Sequence, residues 1–365
     1  MPGTPPRERF ADPEGNLSMS QLLNLRSDTQ TLPTEAMLEA MSAAELGDDT
    51  YREDPTVIRL EERVAEMLAR EASMLVLSGT MANLVSLMVH CRPGDEFFVD
   101  AQAHVIRSEA GGYAGVAGVA PVFVEGRRGH PAPEALRAGI HDPDVHRPHP
   151  RLLWLENTHN RAGGTVMGIE HQRSLVEIAR DSGLATHLDG ARIFNAAIAL
   201  GLPVDHLADG ADTVYVDLTK GLSCPMGALV AGDLSFIEEA RNKRRALGGG
   251  MRQAGIIAAA GLVALETMVD RLEDDHALAR WLAERLAEID GYDVDVDAVE
   301  TNIVFADVSR LGGSQLVAER LLAKGLIVLG SPPSEIRMVT HRHIGRPEAE
   351  TALRLLAGLA EETRR

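Results

Sequence analysis

The chain reads as an α/β protein, with a large unit built on a mainly parallel sheet followed by a smaller α+β unit. Three observations predict this. Short apolar runs rich in β-branched and aromatic residues recur between residues 74 and 231. Helix-periodic stretches separate most of them, the alternation that builds a parallel sheet with crossover helices. Beyond a long helical region at 253–288 the pattern changes to a few strands with helices between or after them.

Residues 1–22 are rich in Pro, Gly and charge and are expected to form a flexible extension. The large unit is expected over 23–265. Its first clear helix follows Asp54-Pro55-Thr56, an N-cap with Pro in the first turn, and places Val57, Leu60, Val64 and Leu68 on one face. Strands are predicted at 74–77, 96–99, 121–124, 152–155, 184–188, 213–218 and 228–231, with helices at 81–90, 171–182 and 192–200. The smaller unit, 266–365, should contain strands at 292–296, 302–308, 326–329 and 336–340 and helices at 314–324 and 347–361.

Composition narrows the function class. Of 365 residues 45% are hydrophobic and 25% charged, an ordinary globular balance. With 36 basic against 54 acidic residues the formal charge is −18, which argues against nucleic-acid binding. No apolar run is long enough for a bilayer span or a secretory signal. Cys91 and Cys224 stand far apart without metal-like spacing, so neither a disulfide framework nor a metal site is expected, and a reducing cytoplasm suits the chain.

Three segments fall at the ends of predicted strands, where open parallel sheets place their ligands. Ser78-Gly79-Thr80 precedes a helix, whose first N–H groups and Thr hydroxyl could hold an anion. Gly79 there suggests a tight backbone turn. Asp189, in His187-Leu188-Asp189-Gly190-Ala191-Arg192, ends an apolar run, where a carboxylate needs a cationic partner such as a pyridinium; a helix N-cap is the alternative. Lys220 follows 213–218 directly and would be an activated amine in so apolar a setting, or a strand end pointing to solvent. Asp189 and Lys220 lie about thirty residues apart, one strand–helix–strand unit, so both can reach one sheet edge. Anion cradle, pyridinium partner and imine-forming lysine are the three contacts that pyridoxal 5′-phosphate requires.

From about Asn24 to Thr340 the chain resembles the low-specificity L-threonine aldolases, in the β-eliminating lyase group of fold-type I pyridoxal-phosphate enzymes (aspartate aminotransferase-like). The matching segments are Leu25-Arg26-Ser27-Asp28-Thr29, Gly47-Asp48-Asp49 with Tyr51 and Glu53-Asp54-Pro55-Thr56, and Ser78-Gly79-Thr80-Met81-Ala82-Asn83. They continue with Glu156-Asn157-Thr158-His159-Asn160-Arg161, the Asp189 segment, Gly248-Gly249-Gly250-Met251-Arg252-Gln253 and Arg337-Met338-Val339-Thr340-His341.

The resemblance implies roles. Lys220 would carry the cofactor as an imine, Asp189 would hold its ring nitrogen, and Gly79 and Thr80 its phosphate, with Arg252 reaching in from a neighbouring subunit. His104 would stack on the ring. Ser27, Arg192 and Arg337 would hold the substrate carboxylate, and Arg192 is also counted among the residues near the cofactor. His159 would serve the β-hydroxyl, and Tyr51 would close the site from a partner chain. The implied assembly is a homotetramer, a dimer of dimers with shared sites. The implied reaction is retro-aldol cleavage of L-threonine or L-allo-threonine to glycine and an aldehyde. β-Elimination, transaldolation and non-catalytic cofactor binding are the alternatives. The chain departs from the family pattern at Thr219 (usually Ser), Cys224 (usually a small residue), Arg52 (usually Gly) and Arg245 (usually Lys). Arg52 and Cys224 are expected near the site, where they could alter the accepted side chain or aldehyde.

Overall fold

The computed structural model describes residues 22–142 and 144–364. All but the last residue of the extension expected over 1–22 lies outside them. The seven runs predicted in the large unit form one seven-stranded sheet: β1 (Ala72–Val76), β2 (Glu96–Val99), β3 (Ala120–Phe123), β4 (Pro150–Glu156), β5 (Ala185–Gly190), β6 (Thr213–Asp217) and β7 (Ala228–Gly232). Their order is β1-β7-β6-β5-β4-β2-β3, and only β7 runs antiparallel to its neighbours. Every residue of β6 and β7 is buried, as expected of strands covered on both faces and rich in Val, Leu and Ala.

Helices cover the sheet. α1 (Pro55–Met67) starts on Asp54, whose carboxylate accepts the Thr56 and Val57 N–H groups, and buries Val57, Leu60 and Val64. α2 (Gly79–His90), α3 (Ile169–Asp181) and α4 (Ile193–Leu200) are the helices that follow β1, β4 and β5. The region 253–288 is two helices, α5 (Gly255–Thr267) and α6 (Leu272–Ala287), rather than one. The break at Met268–Arg271 lets α5 pack on α1 while α6 turns to the smaller unit.

In that unit β8 (Ile303–Asp307), β9 (Leu329–Ser331) and β10 (Glu335–Val339) form an antiparallel sheet in the order β8-β10-β9. α7 (Ser314–Ala323) and α8 (Arg346–Arg364) accompany it. The strand expected at 292–296 does not form. Asp293 makes one bridge to Asp307, and the chain then turns into a 3₁₀ segment, Val296–Ala298. The run at 326–329 is split, because Leu326–Ile327 pairs in parallel with Leu23–Asn24 while Leu329 begins β9.

The largest apolar core runs from Met37 to Leu272 around the large sheet, and a second joins Leu25 to residues between Ala279 and Ala360. Two smaller clusters, one around Val76, Tyr215 and Val230 and one around Phe97, Val99 and Trp154, complete the packing of the large sheet. No described helix is long and apolar enough to cross a membrane.

Candidate active site

The parallel strands deliver their C-terminal ends to one edge. Glu156 closes β4 and lies in register with Asp189 near the end of β5. Val76 of β1 and Asp217 of β6 both pair with Ala228 of β7, so the turn after β1 and the Lys220 loop leave the sheet at the same level. Asp189, Lys220 and the Ser78–Thr80 turn therefore share an edge, as their spacing predicts.

Asp189 is buried and accepts hydrogen bonds from Asn83 Nδ2 at 2.8 Å and the Ala191 N–H at 3.1 Å. The second is a local turn bond two residues on; the helix that follows has Arg192 as its N-cap with no side-chain cap bond, so Asp189 does not cap it. Burial and the neighbouring Glu156 push its carboxyl up to about 7, against the nearby His104 and the Asn83 hydrogen bond, and no Lys or Arg pairs with it among the described residues.

Lys220 is not in apolar surroundings, contrary to expectation. Its Nζ is 2.5 Å from Asp217 Oδ2, a buried carboxylate that also accepts the Tyr215 hydroxyl at 2.7 Å and the Thr219 N–H and hydroxyl at 2.7 and 2.6 Å. Burial opposes the ionised form of Asp217, but the Lys220 charge and hydrogen bond, together with the two Thr219 hydrogen bonds, lower its value.

α2 begins with Ser78 as N-cap, its hydroxyl accepting the Met81 N–H. The Gly79 and Thr80 amides are then free donors at a positive helix end. The reason for glycine at 79 differs from the tight turn expected. No left-handed φ is needed; a Cβ there would stand 2.0 Å from the Tyr215 hydroxyl.

Ser27, His104, Asn160, Arg192, Lys220 and Arg337 line one cavity of about 360 Å³, bounded also by Phe305 and the 329–332 loop. The two arginines differ in a way their spacing could not reveal. Arg192 is buried with Nε and an Nη each 2.7 Å from Asp28, so its fork is taken. Burial opposes both charges, yet the partner's charge and hydrogen bonds, with help from Lys220 and Asn302 on Asp28 and from Asp217 and Glu156 on Arg192, outweigh it: Asp28 lies far below the ordinary carboxylate range and Arg192 above its own. Arg337 has no carboxylate among the described residues. It donates to Asn160 Oδ1 at 3.0 Å and the Arg26 carbonyl at 3.1 Å, and its buried Nε has no partner. Burial, then the Arg192 charge, lowers it to about 10.

His104 presents its ring to the cavity. Its Nδ1 is 2.7 Å from Glu109 Oε1, and its N–H donates to Glu156 Oε2 at 2.6 Å. His104, Glu109 and Asp189 put ligand-type atoms within 4.8 Å of one another. Asn83 Nδ2, donating to both carboxylates, satisfies that set with hydrogen bonds. His159 is not brought to the cavity wall. It is 1% exposed, packs on Gly129, accepts the Ala162 N–H at Nδ1, and points Nε2 toward Asp100 Oδ1 3.2 Å away, outside hydrogen-bond geometry.

Tyr51 and Arg252 also stand apart from their own chain's cavity. Tyr51 is 70% exposed, and Arg252 donates to Thr50 and Asp48 of the same turn. Arg52, expected near the site, instead pairs with Glu238 at the surface. Its φ of 58° is left-handed, which accounts for the glycine usual there. Cys224 is buried in the large core, off the cavity wall, and Arg245 is exposed. Asp28, Asn83, Glu109, Glu156, Asn160 and Asp217 received no role from sequence. Asp28, Asn83, Glu156 and Asn160 stand inside the matching segments, and Asp217 is a charge at the end of an apolar run. Glu109 carries no local signal.

A sequence model described as beta-eliminating lyase matches residues 24–309. Low-specificity L-threonine aldolase 1 of Arabidopsis thaliana is 45% identical over 330 residues, 88% of this chain and 92% of its own. Low specificity L-threonine aldolase of Escherichia coli K12 is 40% identical over 341 residues, 93% of this chain and all of its own. Among solved structures, a threonine aldolase from Leishmania major superposes with a TM-score of 0.79 over 92% of this chain and 99% of its own, at 19% identity, which shows a shared fold.

Proposed function

The chain belongs to the β-eliminating lyase family, and on that premise we propose that it is a pyridoxal-phosphate-dependent aldolase. It cleaves L-threonine, L-allo-threonine or a related β-hydroxy amino acid to glycine and an aldehyde.

The residues fit the cofactor. Asp189 is a buried acid with no Lys or Arg partner among the described residues, suited to a protonated ring nitrogen. Gly79 and Thr80 offer free donors to a phosphate at a helix start where a Cβ has no room. Lys220 supplies a primary amine on the cavity wall, and His104 a ring to lie against the cofactor. When bound, the cofactor supplies an electron sink for the charge left at Cα.

The observation that carries the substrate class is Arg337, a largely buried guanidinium opening on the cavity without a carboxylate of its own. It receives the α-carboxylate of an amino acid, with the Ser27 hydroxyl beside it. Arg192, locked by Asp28, acts as a fixed positive charge next to this pair and reaches Asn160 Oδ1 at 3.3 Å. Holding the carboxylate there fixes which bond of Cα stands across the cofactor plane. The β-hydroxyl proton passes to His104, the imidazole on the cavity wall, or to a water it orders.

Arg252 and Tyr51 serve a neighbouring subunit's site, consistent with their outward position, in a dimer or a tetramer of paired dimers. We place the enzyme in the cytoplasm, where Cys91 and Cys224, both buried and unpaired, would stay reduced.

The test is to load the protein with cofactor, offer L-allo-threonine and L-serine, and assay glycine, acetaldehyde and pyruvate. Glycine with acetaldehyde from L-allo-threonine is expected. Pyruvate from L-serine without glycine from L-allo-threonine would make the protein an eliminating lyase instead.

A further inference from the structure

Glu109 is buried behind His104, follows the short helix His104–Arg107, and lies outside the motif segments named from the sequence. Its Oε1 meets His104 Nδ1 at 2.7 Å and Asn83 Nδ2 at 2.7 Å; Asn83 Nδ2 also donates to Asp189 at 2.8 Å. A continuous hydrogen-bonded chain thus runs His104–Glu109–Asn83–Asp189. Asn83 spends both hydrogens of its amide on two carboxylates, while its Oδ1 is buried without a partner. The opposite amide orientation would aim an oxygen at both acids, so the neighbours impose this one.

We propose that Glu109 is a positioning residue for the cofactor ring. It holds His104 with Nδ1–H donated inward and Nε2 toward the cavity, and through Asn83 it couples that ring to Asp189. The proposal deepens the reading of His104 and Asp189 as the two groups that face the cofactor, and rests on it. A carboxylate accepting from Nδ1 fixes both tautomer and ring plane, and favours the doubly protonated imidazole.

The charges facing His104 from the packed elements are Glu109 beyond its own helix, Glu156 at the end of β4 and Asp189 on β5; Lys220, Arg192 and Arg337 lie across the cavity. Burial disfavours the charged ring, but the Glu109 hydrogen bond and the three acids outweigh it, so His104 lies above its ordinary value. Glu109 is the one acid bonded to the ring itself. Asn83 lets Glu109 and Asp189 approach each other without direct contact between like charges.

The test uses cofactor-free protein with ¹⁵N-labelled histidine, compared as wild type, Glu109→Gln and Glu109→Asp. H104N identifies the signal. In the wild type the Nδ1-protonated form should dominate at high pH. In E109Q, which keeps the shape and loses the charge, the proton-binding constant of His104 should fall about tenfold or more. E109D should restore part of it, and the thermal midpoints should stay close. Cofactor binding, followed separately by absorbance, should weaken in E109Q. An unchanged His104 titration in E109Q, or a wild-type ring protonated at Nε2 alone, would overturn the proposal. These signals report on the empty protein, so they stand apart from the aldolase assay. Failure to cleave L-allo-threonine would sink the substrate reading and leave this titration intact.

Discussion

Arg192 and Arg337 lie on the same cavity wall and carry the same group, yet only one is free. Asp28 decides this by taking both sides of the Arg192 fork. Removing one partner of a buried pair leaves an uncompensated charge, which costs about 3–5 kcal/mol. Asp28→Asn should therefore lower unfolding stability by that order in chemical denaturation, beyond any effect on catalysis. Asp189 works in the opposite sense. Its folded value of about 7 exceeds the ordinary 3.8, so between those pH values the folded chain holds the extra proton. Stability of the cofactor-free protein attributable to Asp189 is full at low pH, falls as pH rises toward 7, and is flat above it. Denaturation midpoints at pH 5 and pH 8 should show this loss in the wild type relative to Asp189→Asn. Equal pH dependence in the two proteins would mean that Asp189 is already compensated.

At the scale of elements, strand ends and helix starts do most of the placing. The seven strands of the large sheet were legible because buried parallel strands are short apolar runs, and their C-terminal ends carry Asp189 and the Lys220 loop. The break between α5 and α6 was not legible, since both are apolar on the faces they bury and no proline or glycine interrupts 256–260 or 262–288. The strand expected at 292–296 fails for a different reason: alternation is present, but among the described residues its pairing is a single bridge to Asp307. Side-chain partnerships across elements, such as Asp28 with Arg192, depend on distances that sequence spacing does not encode. The α2 start shows how such a partnership fixes a motif residue. Gly79→Ala would push a methyl group against Tyr215, an overpacking cost of about 1–3 kcal/mol unless the turn moves. Cofactor affinity should fall in this variant, measured by absorbance titration, and Tyr215→Phe in the same chain should recover part of it. Full affinity in G79A would show that the turn is not the phosphate cradle.

For the whole molecule, the cavity draws on both units, with Arg337 from the smaller sheet and Lys220 from the loop after β6 of the larger one lining it together. We propose that the two units divide near residue 265, with Leu23 and Leu25 packed into the second core although they precede the first. Tyr51 and Arg252 are exposed on their own chain, and the role proposed for them needs a neighbouring subunit. Mixing Lys220→Ala subunits with Arg252→Ala subunits should restore activity that neither has alone, because a mixed interface contains one site with both residues intact. No recovery after subunit exchange, checked by light scattering, would mean that Arg252 serves its own chain.

The proposed cofactor site is the sheet edge formed by Gly79, Asp189 and Lys220. The most direct test is borohydride reduction of the cofactor-loaded protein, followed by proteolysis and mass mapping. A reduced phosphopyridoxyl group is predicted on Lys220, with no such adduct in Lys220→Ala. An adduct on Lys243 or Lys324 alone, or none on a protein that remains folded, would contradict it.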